Sequence, residues 1–143
     1  LVYRRALKYG LPTDYLKSYN EYLGVSKNWE WVDDIVITLS DGSRCFFTHG
    51  MSANILQLSM QMGMHVVQGH YHSKFSIGYF SNPDQLVWGM QVGCLTSQSS
   101  LAFDYAKNFK SRFIMGCGMI IDGQPKLMPM VFGKDGEWIK KIA

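Results

Sequence analysis

The chain has 143 residues, enough for one domain with a real core and too few for two ordinary ones. Apolar residues make up 47% and charged residues 17%, the composition of a globular chain somewhat poor in charge. The net charge of +3 permits an anionic substrate, but no basic cluster exceeds Arg4-Arg5 or Lys140-Lys141, so nothing points to a nucleic-acid surface.

Residues 1–12 carry Arg4, Arg5 and Lys8 with little pattern and end at Pro12. Thr13 can cap a helix with Asp14 in its first turn, and Gly24 is a natural stop. Tyr15, Leu16, Tyr19, Tyr22 and Leu23 fall on one face of that helix. Such a stripe could stack bases; the buried side of a helix, hydroxyls at the rim, is the expectation. Trp29 to Leu39 reads as a strand, Asp41-Gly42 as a hairpin turn, and Ser43 to Thr48 as the antiparallel return. Asp33-Asp34, at the start of that strand, is expected to be exposed rather than metal-bound.

The next stretch organises the chain. Cys45-Phe46-Phe47 is a buried strand that runs into Thr48-His49-Gly50. Met51 to Met62 reads as a helix capped by Ser52 and ended by Gly63. A second buried strand from Met64 then runs into Gly69-His70-Tyr71-His72. Two strands joined by so short a helical crossover are most simply parallel, and their carboxyl ends lie side by side. Open α/β sheets keep ligands there, so His49, His70 and His72 are expected to converge, with glycines allowing close backbone approach. Neutral imidazole suits a divalent metal. His65, alone among apolar neighbours, reads as a hydrogen-bonded core or rim residue outside the site.

Beyond His72, Lys74 to Phe80 and Leu86 to Val92 form a second hairpin around Ser81-Asn82-Pro83-Asp84. Leu101 to Lys110 is a short helix or a packed loop. Arg112 to Ile121 is a strand, turned at Asp122-Gly123 into Lys126 to Phe132, and Glu137 to Ile142 is the last. The sum is an α/β chain: a mixed β-sheet with helices on one face. No repeat or low-complexity linker occurs, so residues 1–143 are expected to form a single domain. Cys45, Cys94 and Cys117 are odd in number and embedded in apolar strands, as structural thiols in a reducing compartment would be. No apolar run approaches the ~18 residues of a membrane span and no signal peptide opens the chain, so no membrane partner and a cytoplasmic location are expected.

His49-Gly50 followed by Gly69-His70-Tyr71-His72 resembles the last two sequence blocks of the calcineurin-like metallophosphoesterases. The likeness covers roughly residues 35–100 and includes Gln91-Val92-Gly93-Cys94-Leu95-Thr96, similar to the family's strand and glycine turn after the histidine pair. It implies a fold that is half of a four-layer α/β/β/α sandwich. It implies that His49 and His70 would bind one divalent ion (Mn, Zn or Fe) and His72 another, none of them being acid or base. The family's earlier blocks, Asp-x-His, Gly-Asp-x-x-Asp and Gly-Asn-His, do not occur in the chain. The chain therefore looks like the carboxyl-terminal part of such an enzyme, and its start at Leu1 fits a truncated frame, a processed product or a cloned fragment.

The resemblance implies a phosphoester substrate, nucleic acid or nucleotide being common in the family. The isolated chain is expected to be inactive or very weak. Apolar surface left by the missing half is expected to drive homo-oligomerisation or pairing with a separately encoded amino-terminal half. The competing reading is a non-catalytic binding or assembly domain of the same fold.

Overall fold

The computed structural model describes residues 2–10, 12, 16–96, 113–134 and 138–142. It divides into two compact units, Leu1–Val32 and Asp33–Ala143, at a point that no linker composition marks.

The first unit holds two short helices. Helix α1, Val2–Lys8, occupies the segment whose sequence shows little pattern. Helix α2, Tyr19–Leu23, is five residues long and begins at a capping box. Ser18 Oγ accepts from Glu21 N–H, and the Glu21 carboxylate accepts in return from Ser18 N–H at 2.8 Å. Gly24 ends the helix in the left-handed conformation, as its sequence position suggests. Asn20 then organises the following segment, donating to the carbonyls of Ser26 and Trp29 and accepting from the Trp31 indole N–H. The tyrosine stripe is not the buried face that was expected. α2 buries no residue, and Tyr19, Tyr22 and Leu23 are exposed. A unit of so few residues offers little interior for a helix face. Thr13, Asp14 and Tyr15 lie outside the described residues.

The second unit is built on a mixed five-stranded sheet. Its strands are β1 (Asp34–Thr38), β2 (Arg44–Thr48), β3 (His65–Gln68), β4 (Phe75–Ser81) and β5 (Leu86–Val92), in the order β1-β2-β3-β5-β4. The β2, β3 and β5 strands run parallel, while β1 and β4 close the two sides antiparallel. The β1–β2 and β4–β5 hairpins turn where Asp41-Gly42 and Asn82 to Asp84 place them. Gly42 takes φ +83° and Asp41 caps its own turn through Ser43. Helix α3, Ile55–Met62, is the crossover between β2 and β3, and Gly63 stops it with φ +61°.

The crossover helix starts two residues later than Ser52 would have it. Asn54 is the cap, its Oδ1 accepting from Gln57 N–H at 3.1 Å, while Ser52 Oγ accepts from Asn54 N–H. Residues 51–53 are held instead by two buried glutamines at the ends of the parallel strands. Gln68, fully buried, accepts at Oε1 from Met51 N–H (3.1 Å) and donates to Ser52 O. Gln91 donates to Ala53 O at 3.4 Å.

Alternation along the strands splits the core in two. On one face, Phe46 and Val66 meet Ile55 and Leu58 of α3. Gly89 permits this closeness, since a Cβ there would stand 2.7 Å from Ile55 O. On the other face, Cys45, Trp88 and Met90 are buried with Phe47, Val67, Ile77 and Val92. That face receives a three-stranded sheet, β6 (Gly116–Ile121), β7 (Gln124–Phe132) and β8 (Trp138–Ile142), through Ile120 and Leu127. The Trp88 indole N–H donates to Gly123 O at 3.1 Å in the turn between β6 and β7. A helix, a mixed sheet and a second small sheet thus lie in layers. The chain's own β6–β7 hairpin covers the Trp88 face of the larger sheet. The segment Leu101 to Lys110 lies outside the described residues. Among the described residues, no helix is long and apolar enough to cross a membrane.

Candidate functional site

The site lies at the carboxyl ends of β2 and β3. Their parallel register pairs Thr48 with Gln68, so the chain leaves both strands at the same level, into Thr48-His49-Gly50 and Gly69-His70-Tyr71-His72. His49 Nε2 and His70 Nδ1 stand 3.1 Å apart, their rings edge to face with centroids 4.9 Å apart. This meeting joins residues 21 apart in sequence and follows from the strand–helix–strand order.

Two backbone features make the approach possible. Gly50 lies against His70: a Cβ at position 50 would stand 2.5 Å from His70 Cβ, closer than atoms can come. His70 itself takes φ +65°, the left-handed region that non-glycine residues rarely occupy. The Tyr71 N–H donates to Gly69 O at 2.7 Å, closing a three-residue turn around His70. Strain of this sort costs of the order of 1–3 kcal/mol and persists where surrounding structure enforces it, often at functional positions. Gly69 is less constrained, a Cβ there meeting only His49 O at an ordinary 3.6 Å.

His72 follows the turn and is held from a different direction. Its carbonyl accepts from Ile114 N–H at 2.9 Å, and its ring lies edge to face with Phe113, centroids 4.9 Å apart. Burial lowers its pKa from the ordinary value, and the neighbouring His70 and His49 lower it further, so His72 is neutral at neutral pH and within electrostatic reach of both. The clamp formed by Phe113 to Met115, tied to Cys94 by a parallel bridge, is a part of the site that sequence reasoning missed. No local motif marks it. Gln68 was missed too, although a glutamine closing an apolar strand run just before Gly-His is a readable signal of a buried polar anchor.

The histidines therefore meet as a pair, with His72 close by. Among the described residues, no three His, Cys, Asp or Glu side chains come together as a ready-made metal site. At 3.1 Å the two ring nitrogens stand at hydrogen-bonding distance, the tautomers deciding which one donates, and the spacing can be compared with that across a shared ion. Two nitrogens bound at about 2.0–2.1 Å to one tetrahedral zinc stand roughly 3.3 Å apart, close to the 3.1 Å between His49 Nε2 and His70 Nδ1. His65 is separate, as expected of a core histidine. Its ring stacks on Trp88 with centroids 4.4 Å apart, and its Nδ1 accepts from Trp88 N–H at 3.1 Å. Asp33 and Asp34 are exposed at the start of β1.

No family model, no curated protein and no solved structure matches the chain.

Proposed function

We infer that this chain is the carboxyl-terminal part of a metal-dependent phosphoesterase of the calcineurin-like kind, contributing His49, His70 and His72 to a site completed by ligands outside the chain. The observation that carries the reading is the 3.1 Å approach of His49 Nε2 to His70 Nδ1 at the ends of two adjacent parallel strands. Gly50 and the left-handed His70 support it, since both are local costs that make sense if the two rings must meet. A pair of divalent ions (Mn, Zn or Fe) about 3.5–4 Å apart would supply hydroxide from bound water and offset charge on a phosphoester, nucleic acid and nucleotides included. The chain's own part is to present neutral imidazole nitrogens in fixed directions. Gln68 holds the loop that follows His49, and Ile114 holds the main chain of His72. With three imidazoles and no bridging carboxylate, the chain alone would hold one ion loosely and be inactive or very weak. The free cysteines, Cys45 being buried and its thiol pushed up to about 12 by that burial, suit a reducing, cytoplasmic setting.

A second reading, a non-catalytic binding or assembly domain, is favoured by one observation: no third His, Cys, Asp or Glu side chain joins the pair among the described residues. One experiment separates them. A separately produced amino-terminal half bearing Asp-x-His, Gly-Asp-x-x-Asp and Gly-Asn-His is mixed with this chain, and manganese-dependent hydrolysis of a generic phosphodiester is followed. Hydrolysis that vanishes with His70→Ala supports the phosphoesterase. Complex formation without hydrolysis supports the assembly domain.

A further inference from the structure

Strand β1 closes one side of the five-stranded sheet, and its residues Asp34-Ile35-Val36-Ile37-Thr38 are all exposed. Ile35, Val36 and Ile37 keep 44%, 41% and 43% of their surface, so neither face of this strand is covered as β2 beside it is. Among the described residues, the main chain of β1 has an open side as well. Leu39 N–H donates to Ser43 O at 2.8 Å, and bonding directions alternate along an antiparallel strand. Ile37 and Ile35 therefore turn their N–H and C=O groups to β2, while Thr38, Val36 and Asp34 turn theirs outward. Edge strands are commonly guarded by a lysine, a proline, a bulge or a cover. β1 has no lysine or proline, and its register with β2 is regular.

We propose that β1 is a homotypic docking edge, at which two copies of this chain pair antiparallel about Val36 and join their five-stranded sheets into one continuous sheet. The sequence of the strand is its own complement in that arrangement. Val36 meets Val36, Ile35 meets Ile37, and Asp34 meets Thr38, with no like charges opposed. The three outward-facing residues are those that such pairing would hydrogen-bond. Charge supplies the argument for a second copy over other strands. Thr38 is paired to Arg44 of β2, so Asp34 of one copy, Thr38 and Arg44 of the other fall in one row on one face. Strands about 4.8 Å apart put Asp34 and Arg44 about 10 Å from each other at the main chain, a gap a long arginine side chain spans. The two-fold axis makes this pair twice.

The test is sedimentation equilibrium of the whole chain from low to high micromolar concentration, with circular dichroism to check folding. The wild type is expected to dimerise. Arg44→Asp and Asp34→Arg are each expected to raise the dimer dissociation constant roughly tenfold or more by setting like charges together. The double variant Asp34→Arg/Arg44→Asp is expected to restore it, which a merely structural role of either residue would not give. A wild type that stays monomeric overturns the proposal. So does a dimer indifferent to both single substitutions, which would place the contact elsewhere.

Discussion

At Gly50 the site depends on a missing atom. A methyl group there would overlap His70 Cβ, and the collision is with the root of the side chain, which rotation cannot relieve. Gly50→Ala should therefore push the two imidazoles apart and weaken zinc affinity at least about tenfold, or about 1.4 kcal/mol, as read by isothermal titration. His70→Gly tests the opposite trade. It removes the Cβ that makes φ +65° costly, so the fold should be as stable or about 1 kcal/mol more stable in urea denaturation, while metal affinity is lost. The pH response is shared by the two histidines whose pKa burial lowers, His72 and His65, and His65 lies outside the site. The His65 Nδ1 is occupied by Trp88 N–H and its burial lowers its pKa, with the Asp41 charge opposing in part. The unfolded chain accepts a proton at about 6.5 that the folded chain refuses. Stability should be level above that pH and fall as pH drops from about 6.5 toward the folded value. His65→Gln, which keeps an acceptor for Trp88 N–H, should flatten part of that fall in denaturation curves taken across pH 5–8.

The central element is the β2–α3–β3 crossover, and it was largely legible because all but one of its boundaries carry their own chemistry. Two short apolar runs, a left-handed glycine at position 63 and histidines after each run mark the two strands, the end of the helix and the two loops without long-range information. Its start was misplaced because Ser52 has the chemistry of a cap, yet the preceding segment is claimed by Gln68 from 16 residues away. Removing that claim is a direct test. Gln68→Leu keeps the volume but strips Met51 and Ser52 of their partner, and should cost about 1–3 kcal/mol in urea denaturation. Helix α1 was not legible, since seven residues of ordinary helix formers carry neither a cap nor a recurring apolar face. The tyrosine stripe of α2 misled for a different reason: periodicity shows which residues share a face, and says nothing about whether an interior exists to receive it.

Across the whole molecule, the two hairpins β1–β2 and β4–β5 and the parallel β2–β3 pair followed from the sequence, while the parallel seat of β5 beside β3 and the placement of the β6–β7 hairpin did not. Its seat on Trp88, Met90 and Val92 is set by fit at a distance: the indole bond to Gly123 O, and Gly118, where a Cβ would stand 2.6 Å from Val92 Cγ1. Sequence patterning gives such a hairpin an apolar face but no address. The layering has a mechanical consequence for the site. Phe113 and Ile114, which hold His72, enter β6 within two residues, so the position of His72 is tied to the second sheet, while His49 and His70 are tied to the first. Loosening the hairpin should release His72 from the pair without separating His49 from His70. The most direct measurement is nuclear magnetic resonance of the imidazole protons during titration with zinc and then manganese. His49 and His70 signals shifting together to a single saturation point, with the response abolished by His70→Ala, is the expected result. Signals that ignore the metal, or a response that survives His70→Ala unchanged, would contradict the claim that this pair is a metal-binding half-site.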